Sequence, residues 1–375
     1  MEHGRGAVEA LVTPVWQGRR VLVTGHTGFK GSWLSLWLHA MGADVTGFAL
    51  PPPTDPSLFA AARIAGLIRH IEGDVRDLAA VRAAVATARP EVIFHLAAQP
   101  LVRLSYEQPV ETYATNVMGT VHVLEAARLD GAVRAIVSVT SDKCYENREW
   151  IWPYRESDPM GGHDPYSSSK GCAELVTAAW RKSFFADPGA PALASVRAGN
   201  VIGGGDWAAD RLVPDLVRAF EAGVSPLIRA PQAVRPWQHV LEALGGYIQI
   251  AERLLAGERH FADGWNFGPA DDDARPVSWI VERMRAAWTE SGGAASDALP
   301  DAGPRPHEAG LLRLDCSKAR AALGWRPALN LERTIDWIVA WHRAVAGGAD
   351  ARAVTLGQIA DYAAASSQSG DRAAA

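Results

Sequence analysis

Two short segments carry side chains whose types and spacing could move protons. Tyr166 and Lys170 stand four residues apart in YSSSK, at the predicted start of a helix, so both are expected on one helix face. An ammonium beside a phenol stabilises the phenolate, and we expect it to lower the pKa of Tyr166 below the ordinary value of about 10. The pair predicts a base that accepts a proton from a hydroxyl group, although the same spacing is also typical of an ordinary pair on a helix surface.

The second segment is Ser141, Asp142 and Lys143, which directly follow a predicted strand over 135–140. The carboxyl ends of strands are where open α/β sheets place their chemistry. A carboxyl group beside an amine could supply the acid and the base of an elimination. The other interpretation is a solvated pair in a loop, and the three residues alone leave both open.

A glycine turn precedes both segments. Gly25, Gly28 and Gly31 follow the predicted strand 20–24 and open a helix, which is the setting in which backbone amides bind a pyrophosphate. The turn therefore predicts a dinucleotide cofactor. It does not fit a P-loop, because Lys30 precedes the last glycine. Prolines follow Leu50 where an acid usually binds the ribose, so the second strand does not decide between NAD and NADP.

Asp74, in EGDVRD, follows a further predicted strand. Its carboxylate could accept a hydrogen bond from an adenine amine. An aspartate that caps a turn is an equally good interpretation of this position.

Strands and helices alternate along the first half of the chain, which predicts parallel crossovers. We expect an α/β fold: a doubly wound parallel sheet (Rossmann) over residues 16–199, and a second, smaller mixed α/β substrate-binding lobe over residues 200–345. A predicted helix within 237–262 is expected to pack back on the first lobe. The alanine-rich segment 346–375 is expected to be a flexible tail. Predicted strands lie at 20–24, 44–50, 91–96, 135–140 and 194–196.

Composition narrows the class of protein. The chain of 375 residues is 48% hydrophobic with a formal net charge of -5, which fits a globular protein and gives no reason to expect a nucleic-acid or membrane partner. Cys144, Cys172 and Cys316 have no metal-ligand spacing, so neither a metal site nor a disulfide framework is predicted. No apolar run is long enough for a membrane span or a signal peptide, and we expect a cytoplasmic protein.

With these residues assembled, the chain resembles the extended short-chain dehydrogenase/reductase family, and within it the CDP-glucose 4,6-dehydratases. The resemblance covers roughly residues 16–342. The segments that carry it are GHTGFKGSWL, HLAAQPLVRLSY, TNVMGTV, TSDKCYEN, DPYSSSK, RAGNVIGGGDW, RPWQHVLE, WNFGP and HEAGLLRLDCSKARAALGW. TSDKCYEN and RAGNVIGGGDW are the more specific of these, whereas GHTGFKGSWL and DPYSSSK occur widely in the superfamily.

The resemblance implies a closed redox cycle on a nucleotide-bound hexose. Tyr166 would take the C4 hydroxyl proton while a hydride passes from C4 to NAD. The ketone acidifies C5–H, water leaves from C6, and the hydride returns to C6. Ser141 would hydrogen-bond Tyr166 and the C4 oxygen, Asp142 would protonate the departing hydroxyl, and Lys143 would take the C5 proton. Related dTDP-sugar dehydratases carry glutamate at the Lys143 position, so this chain departs from their pattern there.

The resemblance also implies two sets of binding residues and a homo-oligomer, a dimer or tetramer formed through first-lobe helices. The NAD-binding set is Gly25, Thr27, Gly28, Phe29, Lys30, Gly31, Asp74, Val75, Ala97, Ala98, Asn116, Tyr166 and Lys170. The substrate-binding set is Gln99, Arg103, Asn200, Trp207, Arg211, Arg235 and His307.

Two other functions stay open on sequence. A nucleotide-sugar 4-epimerase or reductase would share the redox residues, but the resemblance gives epimerases small neutral residues where this chain has Asp142 and Lys143. A catalytically silent dinucleotide-binding regulator would be expected to have lost active-site residues. Both segments are intact here, which favours dehydration.

Overall fold

The computed structural model describes residues 11–301 and 310–373. Within them the strands, numbered β1 to β13 in chain order, are Arg20–Thr24, Asp44–Ala49, Arg69–Glu72, Val92–His95, Ala135–Val139, Ala192–Ala198, Val201–Ile202, Leu227–Ile228, Val234–Pro236, Gln238–His239, Gly264–Phe267, Ala274–Pro276 and Leu299–Pro300. The α-helices, numbered α1 to α13, are Phe29–Ala40, Leu58–Ala61, Leu78–Ala88, Val102–Glu107, Pro109–Tyr113, Gly119–Asp130, Pro165–Ser183, Leu212–Ala222, Val240–Leu255, Val277–Glu290, Ser317–Leu323, Leu331–Ala346 and Ala351–Ala373. A π-helix spans Ala114–Met118, and 3-10 turns lie at Ile64–Gly66, Asp142–Cys144, Arg259–Phe261 and Asp271–Asp273.

A seven-stranded parallel sheet organises the molecule, in the order β11-β6-β5-β4-β1-β2-β3. The inner strands are mostly short apolar runs because helices cover both faces of the sheet, whereas the edge strand β3 is polar and largely exposed. The chain direction across the sheet reverses between β1 and β4, where Thr24 pairs with His95. Such a reversal opens a crevice at the carboxyl ends of the strands, which is the binding position of this fold. The Rossmann architecture predicted from the sequence is therefore present.

The seventh strand of this sheet corrects the expected lobe boundary. β11 pairs with β6, with Trp265 opposite Val196, although it lies within the range 200–345 assigned to the second lobe. The first lobe therefore takes a strand from far beyond residue 199. Helix α9 also follows residue 199 and belongs with the first lobe, because it packs against β5, β6 and α1.

Two apolar layers enclose the sheet and a third fills the second lobe. One layer joins the sheet to α3 and α6, with Val81, Val85 and Leu124 in its core. The second lobe packs α8, α10 and α12 around Leu216 and Met284. Its strands form three two-stranded pairs, of which β12 and β9 are antiparallel. Among the described helices, none combines the length and the apolar character needed to cross a bilayer.

The alanine-rich segment after residue 346 is not a frayed tail. It forms helix α13, because alanine favours helix and because larger side chains of the segment pack into an apolar layer. Ile359 and Tyr362 are buried, and the Tyr362 ring packs edge-on against Trp37 at 5.7 Å. The Tyr362 hydroxyl donates to Glu242 Oε2 at 2.9 Å, so the segment is fastened to the first lobe.

Removal of residues 350–375 is therefore expected to lower the free energy of unfolding by several kcal/mol. Ile359 and Tyr362 are 0% and 3% exposed, and each side chain buried to this degree contributes about 2 kcal/mol. Denaturant unfolding of the full chain and the truncated chain measures the difference. A shorter truncation after Ser366, which keeps both side chains, is the control and is expected to unfold close to the full chain.

Candidate active site

The glycine turn has the shape that a pyrophosphate needs. Gly25, at the end of β1, has a φ of +76°, and a Cβ there would lie 2.7 Å from the Ala97 nitrogen, so only glycine fits. A Cβ on Gly31 would lie 2.1 Å from the Gly25 oxygen. Helix α1 begins after Gly28, and no described side chain caps it. Its first N–H groups are therefore left to bind an anion, which fits the diphosphate of NAD.

A cleft of about 380 Å³ lies at the carboxyl edge of the sheet, where the second lobe faces the first. It brings together both segments that the sequence singled out for proton transfer. Predicted site residues that line it are Phe29, Lys30, Ala98, Arg103, Ser141, Asp142, Lys143, Tyr166, Lys170, Asn200, Arg211 and Arg235.

Ser141 and Asp142 form a short turn at the end of β5. Ser141 Oγ accepts from the Lys143 amide at 3.2 Å and donates to Asp142 Oδ1 at 3.0 Å. Asp142 is 3% exposed, and its Oδ2 atom has no hydrogen-bond partner among the described residues. Burial raises the pKa of Asp142, while Lys143 opposes this shift. Burial therefore shifts this carboxyl toward its neutral form, which is the form that could donate a proton in the cleft.

Helix α7 carries the other proton-transfer pair. The Asp164 side chain caps the helix by accepting from the Ser167 amide at 2.9 Å, which fixes Tyr166 in the first turn. Lys170 Nζ lies one turn further and donates to the Val139 oxygen at 3.4 Å. The helix therefore points both side chains at the end of β5.

The expected lowering of the Tyr166 pKa is wrong for this structure. Burial raises the pKa of Tyr166 to about 12, and a hydrogen bond with Ser141 only partly offsets the effect. Burial also lowers the pKa of Lys170 to about 8. The phenol is 8% exposed, so the loss of hydration of the phenolate outweighs the charges around it.

Lys30 adds a second amine to the same region. Burial lowers its pKa to about 7, and the charges of Lys170 and Arg211 lower it further, while Asp142 opposes them. Its Nζ atom lies 6.0 Å from the centre of the Tyr247 ring. The two lysines repel each other in a poorly hydrated setting, which costs stability while both carry charge.

Replacement of this lysine, Lys30→Met, is expected to stabilise the protein more at pH 6 than at pH 9. The folded pKa is depressed to about 7 from 10.5, so below pH 7 the folded protein holds a charge that the unfolded chain solvates better. Above pH 7 the folded lysine is neutral and much of this penalty disappears. Melting temperatures of both proteins at the two pH values measure the effect. An equal gain at both would contradict it.

The predicted substrate residues divide into two groups. Arg103, Asn200, Arg211 and Arg235 line the cleft. Arg211 pairs with Asp206 at 3.0 Å and Arg103 pairs with Asp210 at 3.3 Å, so these guanidinium groups are held in place by carboxylates. Such pairing orients arginines that could meet a diphosphate.

The others lie elsewhere. Trp207 packs edge-on against Trp341 at 5.7 Å, within the apolar layer. The Gln99 side chain donates to Thr112 Oγ1 at 2.9 Å and bonds the Leu101 backbone, which shapes its loop. His307 lies outside the described residues.

Several predicted cofactor-binding residues form hydrogen bonds that hold the loops around the glycine turn. Thr27 Oγ1 donates to the Leu50 oxygen at 2.9 Å, and the Ala97 amide donates to Thr24 Oγ1 at 3.3 Å. Asn116, on the π-helix, is buried and bonds both Gln99 and Ser169. These contacts fasten the loops around the glycine turn.

The remaining two cofactor predictions lie at the end of β3. Val75 is buried and its oxygen bonds His122 Nδ1 at 2.8 Å. Asp74 accepts from the Arg76 amide at 2.8 Å and from its guanidinium at 2.6 Å, and this bonding lowers the pKa of Asp74. The turn-capping interpretation of Asp74 therefore describes its contacts here, and adenine binding stays a prediction.

Sequence reasoning missed several residues of the cleft, among them Asp206, and it missed the buried acid Glu174. Asp206, which holds Arg211, lies in the GGGDW segment beside glycines that were noted only as a family feature. Glu174 follows Lys170 by four residues, the same spacing that separates Tyr166 from Lys170. Continuing the helix face by one turn would have found it.

Comparisons with known proteins find related sequences and related folds. The sequence model of the GDP-mannose 4,6-dehydratase family matches residues 22–337. A CDP-glucose 4,6-dehydratase from Salmonella typhimurium strain LT2 is 56% identical over 351 residues, 92% of this chain and 97% of that protein. A UDP-glucose 4-epimerase from Mycolicibacterium smegmatis is 28% identical and covers 86% of this chain and 98% of its own length. The dTDP-glucose 4,6-dehydratase DesIV from Streptomyces venezuelae, solved with NAD and TYD bound, shares the fold with a TM-score of 0.74 at 24% identity, over 89% of this chain and 99% of that one.

Proposed function

We propose, because this chain belongs to the GDP-mannose 4,6-dehydratase family, that it converts CDP-glucose to CDP-4-keto-6-deoxyglucose in an NAD-dependent 4,6-dehydration. The observation that carries the reaction type is the buried Asp142 carboxyl in the same cleft as Tyr166. Its Oδ2 atom has no hydrogen-bond partner in the part of the chain that the structure describes. A dehydration needs such an acid beyond the redox pair, whereas a 4-epimerisation does not. The choice of CDP-glucose is supported by the 56% identical Salmonella relative.

The oxidation half of the reaction falls to helix α7. Tyr166 takes the proton of the C4 hydroxyl, and Ser141 hydrogen-bonds the phenol. NAD, when bound in the cleft next to the glycine turn, would supply the hydride acceptor for C4 and the hydride source for C6. Because burial holds the phenol protonated at neutral pH, Tyr166 needs positive charge nearby to act as a base. Arg211 lowers the pKa of Tyr166 in this way, and we assign part of the same role to Lys170, which lines the same cleft.

The elimination half falls to the turn after β5. Lys143 takes the C5 proton, and the electron pair of that bond forms the C5–C6 double bond as the C6–O bond breaks. Asp142 donates its proton to the leaving hydroxyl, which departs as water. On hydride return to C6, the proton held by Lys143 goes back to C5. The C4 hydroxyl proton taken by Tyr166 is released, and Asp142 regains a proton from solvent. Atoms and charge then balance over the cycle, and the net loss is one water molecule.

The substrate diphosphate is assigned to the basic groups of the cleft. Arg211 and Arg235 lie on the second-lobe side, and Arg103 extends from the first lobe. Guanidinium groups suit a diphosphate because they form paired hydrogen bonds with its oxygens. The sugar then lies between these arginines and the glycine turn, with Asn200 beside it.

Incubation with CDP-, dTDP-, UDP- and GDP-glucose in the presence of NAD tests this assignment. We expect the CDP sugar to give a 4-keto product, seen by its ultraviolet absorbance in alkali, without net build-up of reduced cofactor. A galacto-configured product would make the protein a 4-epimerase. Steady reduction of NAD would make it a simple dehydrogenase, and no turnover of any sugar would make it a silent binding protein.

We further propose that the protein is a cytoplasmic homo-oligomer, a dimer or tetramer that associates through its first-lobe helices. Val110 on α5 and Leu175 on α7 are 78% and 61% exposed, more than expected for apolar side chains facing water. The three unpaired cysteines suit a reducing compartment. Light scattering of the purified protein measures the number of subunits.

A further inference from the structure

A buried ion pair lies behind the catalytic turn and outside the cleft. Glu174 on α7 and Arg197 on β6 are 4% and 5% exposed and form two parallel bonds, at 2.9 and 2.8 Å. Burial disfavours the ionised acid, but Arg197 holds the pKa of Glu174 below its ordinary value. Apolar pairs of similar volume are often at least as stabilising as buried ion pairs, so stability alone is a weak reason for this one.

The two members of the pair hold opposite ends of the turn. Before the turn, Thr140 Oγ1 donates to Glu174 Oε1. After it, Arg197 Nη1 donates to Tyr145 Oη at 2.6 Å, and Tyr145 in turn donates to Asn266 Oδ1 at 2.7 Å. The segment between these ends contains Ser141, Asp142 and Lys143. Side chains at both ends of the segment are therefore bonded to one pair of charged groups.

The same pair also links the turn to helix α7, which carries Tyr166 and Lys170. Tyr166, Lys170 and Glu174 follow one another at intervals of four residues, so they lie along one face of α7. Tyr166 and Lys170 line the cleft, and Glu174 lies one turn deeper. A single carboxylate thus belongs to the helix that oxidises C4 and also holds the turn that eliminates water.

We infer that Glu174 and Arg197 are positioning residues that set Asp142 and Lys143 relative to Tyr166, so that elimination keeps pace with oxidation. This inference rests on the proposed dehydration. Neither residue is assigned to touch the substrate or the cofactor. A displacement of about 1 Å in a catalytic group can cost roughly 10²-fold in rate, so loss of this tie should slow elimination selectively.

Tyr145→Phe tests the inference with the smallest change, because it removes one hydroxyl and leaves the ion pair in place. Tyr362→Phe is the matched control: it too removes a buried tyrosine hydroxyl bonded to a polar partner, but on α13, away from the turn. We expect similar losses of melting temperature in both. Only Tyr145→Phe should lower kcat, by roughly tenfold to a hundredfold, with little change in KM.

Three readouts separate positioning from a general loss of structure. With Tyr145→Phe, the isotope effect from deuterium at C5 should grow while that from deuterium at C4 shrinks. Reduced nicotinamide should accumulate during turnover, seen by its near-ultraviolet absorbance. Amide hydrogen exchange across residues 140–145 should speed up without any ligand present. Tyr362→Phe should resemble the unaltered protein in all three.

A double variant, Glu174→Leu with Arg197→Met, removes the tie at both ends without leaving an unpaired buried charge. It should show the same signature more strongly. The inference is overturned if Tyr145→Phe keeps the wild-type isotope effects and exchange, or if Tyr362→Phe shifts them equally. Failure of the proposed function looks different: the unaltered protein would then form no 4-keto product from CDP-glucose, while exchange across 140–145 would still report whether the pair holds the turn.

Discussion

Asp142→Asn is expected to lower formation of the 4-keto-6-deoxy product by roughly 10²- to 10⁴-fold, the usual contribution of a general acid. Asparagine keeps the size of the side chain and can still accept the Ser141 hydrogen bond, so the turn should persist. It has no acidic proton for the C6 hydroxyl. Oxidation at C4 uses a different residue and should continue. Rapid mixing with substrate and NAD should therefore show reduced nicotinamide forming and persisting.

Two further observations bear on this prediction. Elimination requires Asp142 in its protonated form, so wild-type turnover should fall as pH rises through the raised pKa of this carboxyl, and the variant should lack that limb. Glu252→Gln is the control. Burial also raises the pKa of the Glu252 carboxyl, but this side chain accepts a hydrogen bond from Trp16 and does not line the cleft. A wild-type rate in Asp142→Asn would remove this residue from the mechanism.

Tyr166→Phe is expected to cause a loss of similar size, roughly 10²- to 10⁴-fold, but at the earlier step. Without the phenolic oxygen the group assigned to take the C4 proton is missing, so reduced nicotinamide should not appear even transiently. The distinction from Asp142→Asn is therefore qualitative. Stopped-flow absorbance with both variants, run side by side, measures it.

A second arm isolates the step that Tyr166 does not perform. Supplied with CDP-4-ketoglucose in deuterated water, Tyr166→Phe should still exchange the C5 hydrogen, because Lys143 is unchanged. Lys143→Ala should lose this exchange while keeping cofactor binding. Exchange that disappears with Tyr166→Phe and survives in Lys143→Ala would reverse the two assignments.

Much of the first lobe could be predicted because its signals are local. The run RVLVT and the glycines behind it specify β1 and the turn within a dozen residues, and the structure has the strand at Arg20–Thr24 as predicted. Strand β11 could not be assigned to this sheet from sequence, since its partner β6 lies far away along the chain. Helix α13 could not be predicted because alanine gives no amphipathic pattern, and its buried face is formed by scattered residues that include Ala351, Ile359 and Tyr362.

The candidate site shows the same division. The positions of YSSSK and SDK could be predicted because sequence reveals local signals for both. YSSSK lies at the start of a helix, and SDK lies at the end of a strand. The pKa of Tyr166 could not be predicted, because burial depends on packing that no local pattern encodes. Nor could sequence show that Trp207 is half-buried and packs against the Trp341 ring.

The central claim is that one hydride leaves C4 and returns to C6 of the same sugar while water is lost. The most direct measurement uses CDP-glucose carrying deuterium at C4, followed by NMR and mass spectrometry of the product. The mechanism predicts a 4-keto sugar whose C6 methyl group carries that deuterium. Deuterium returned to C4 with the C6 hydroxyl intact, or retained on the cofactor, would contradict it.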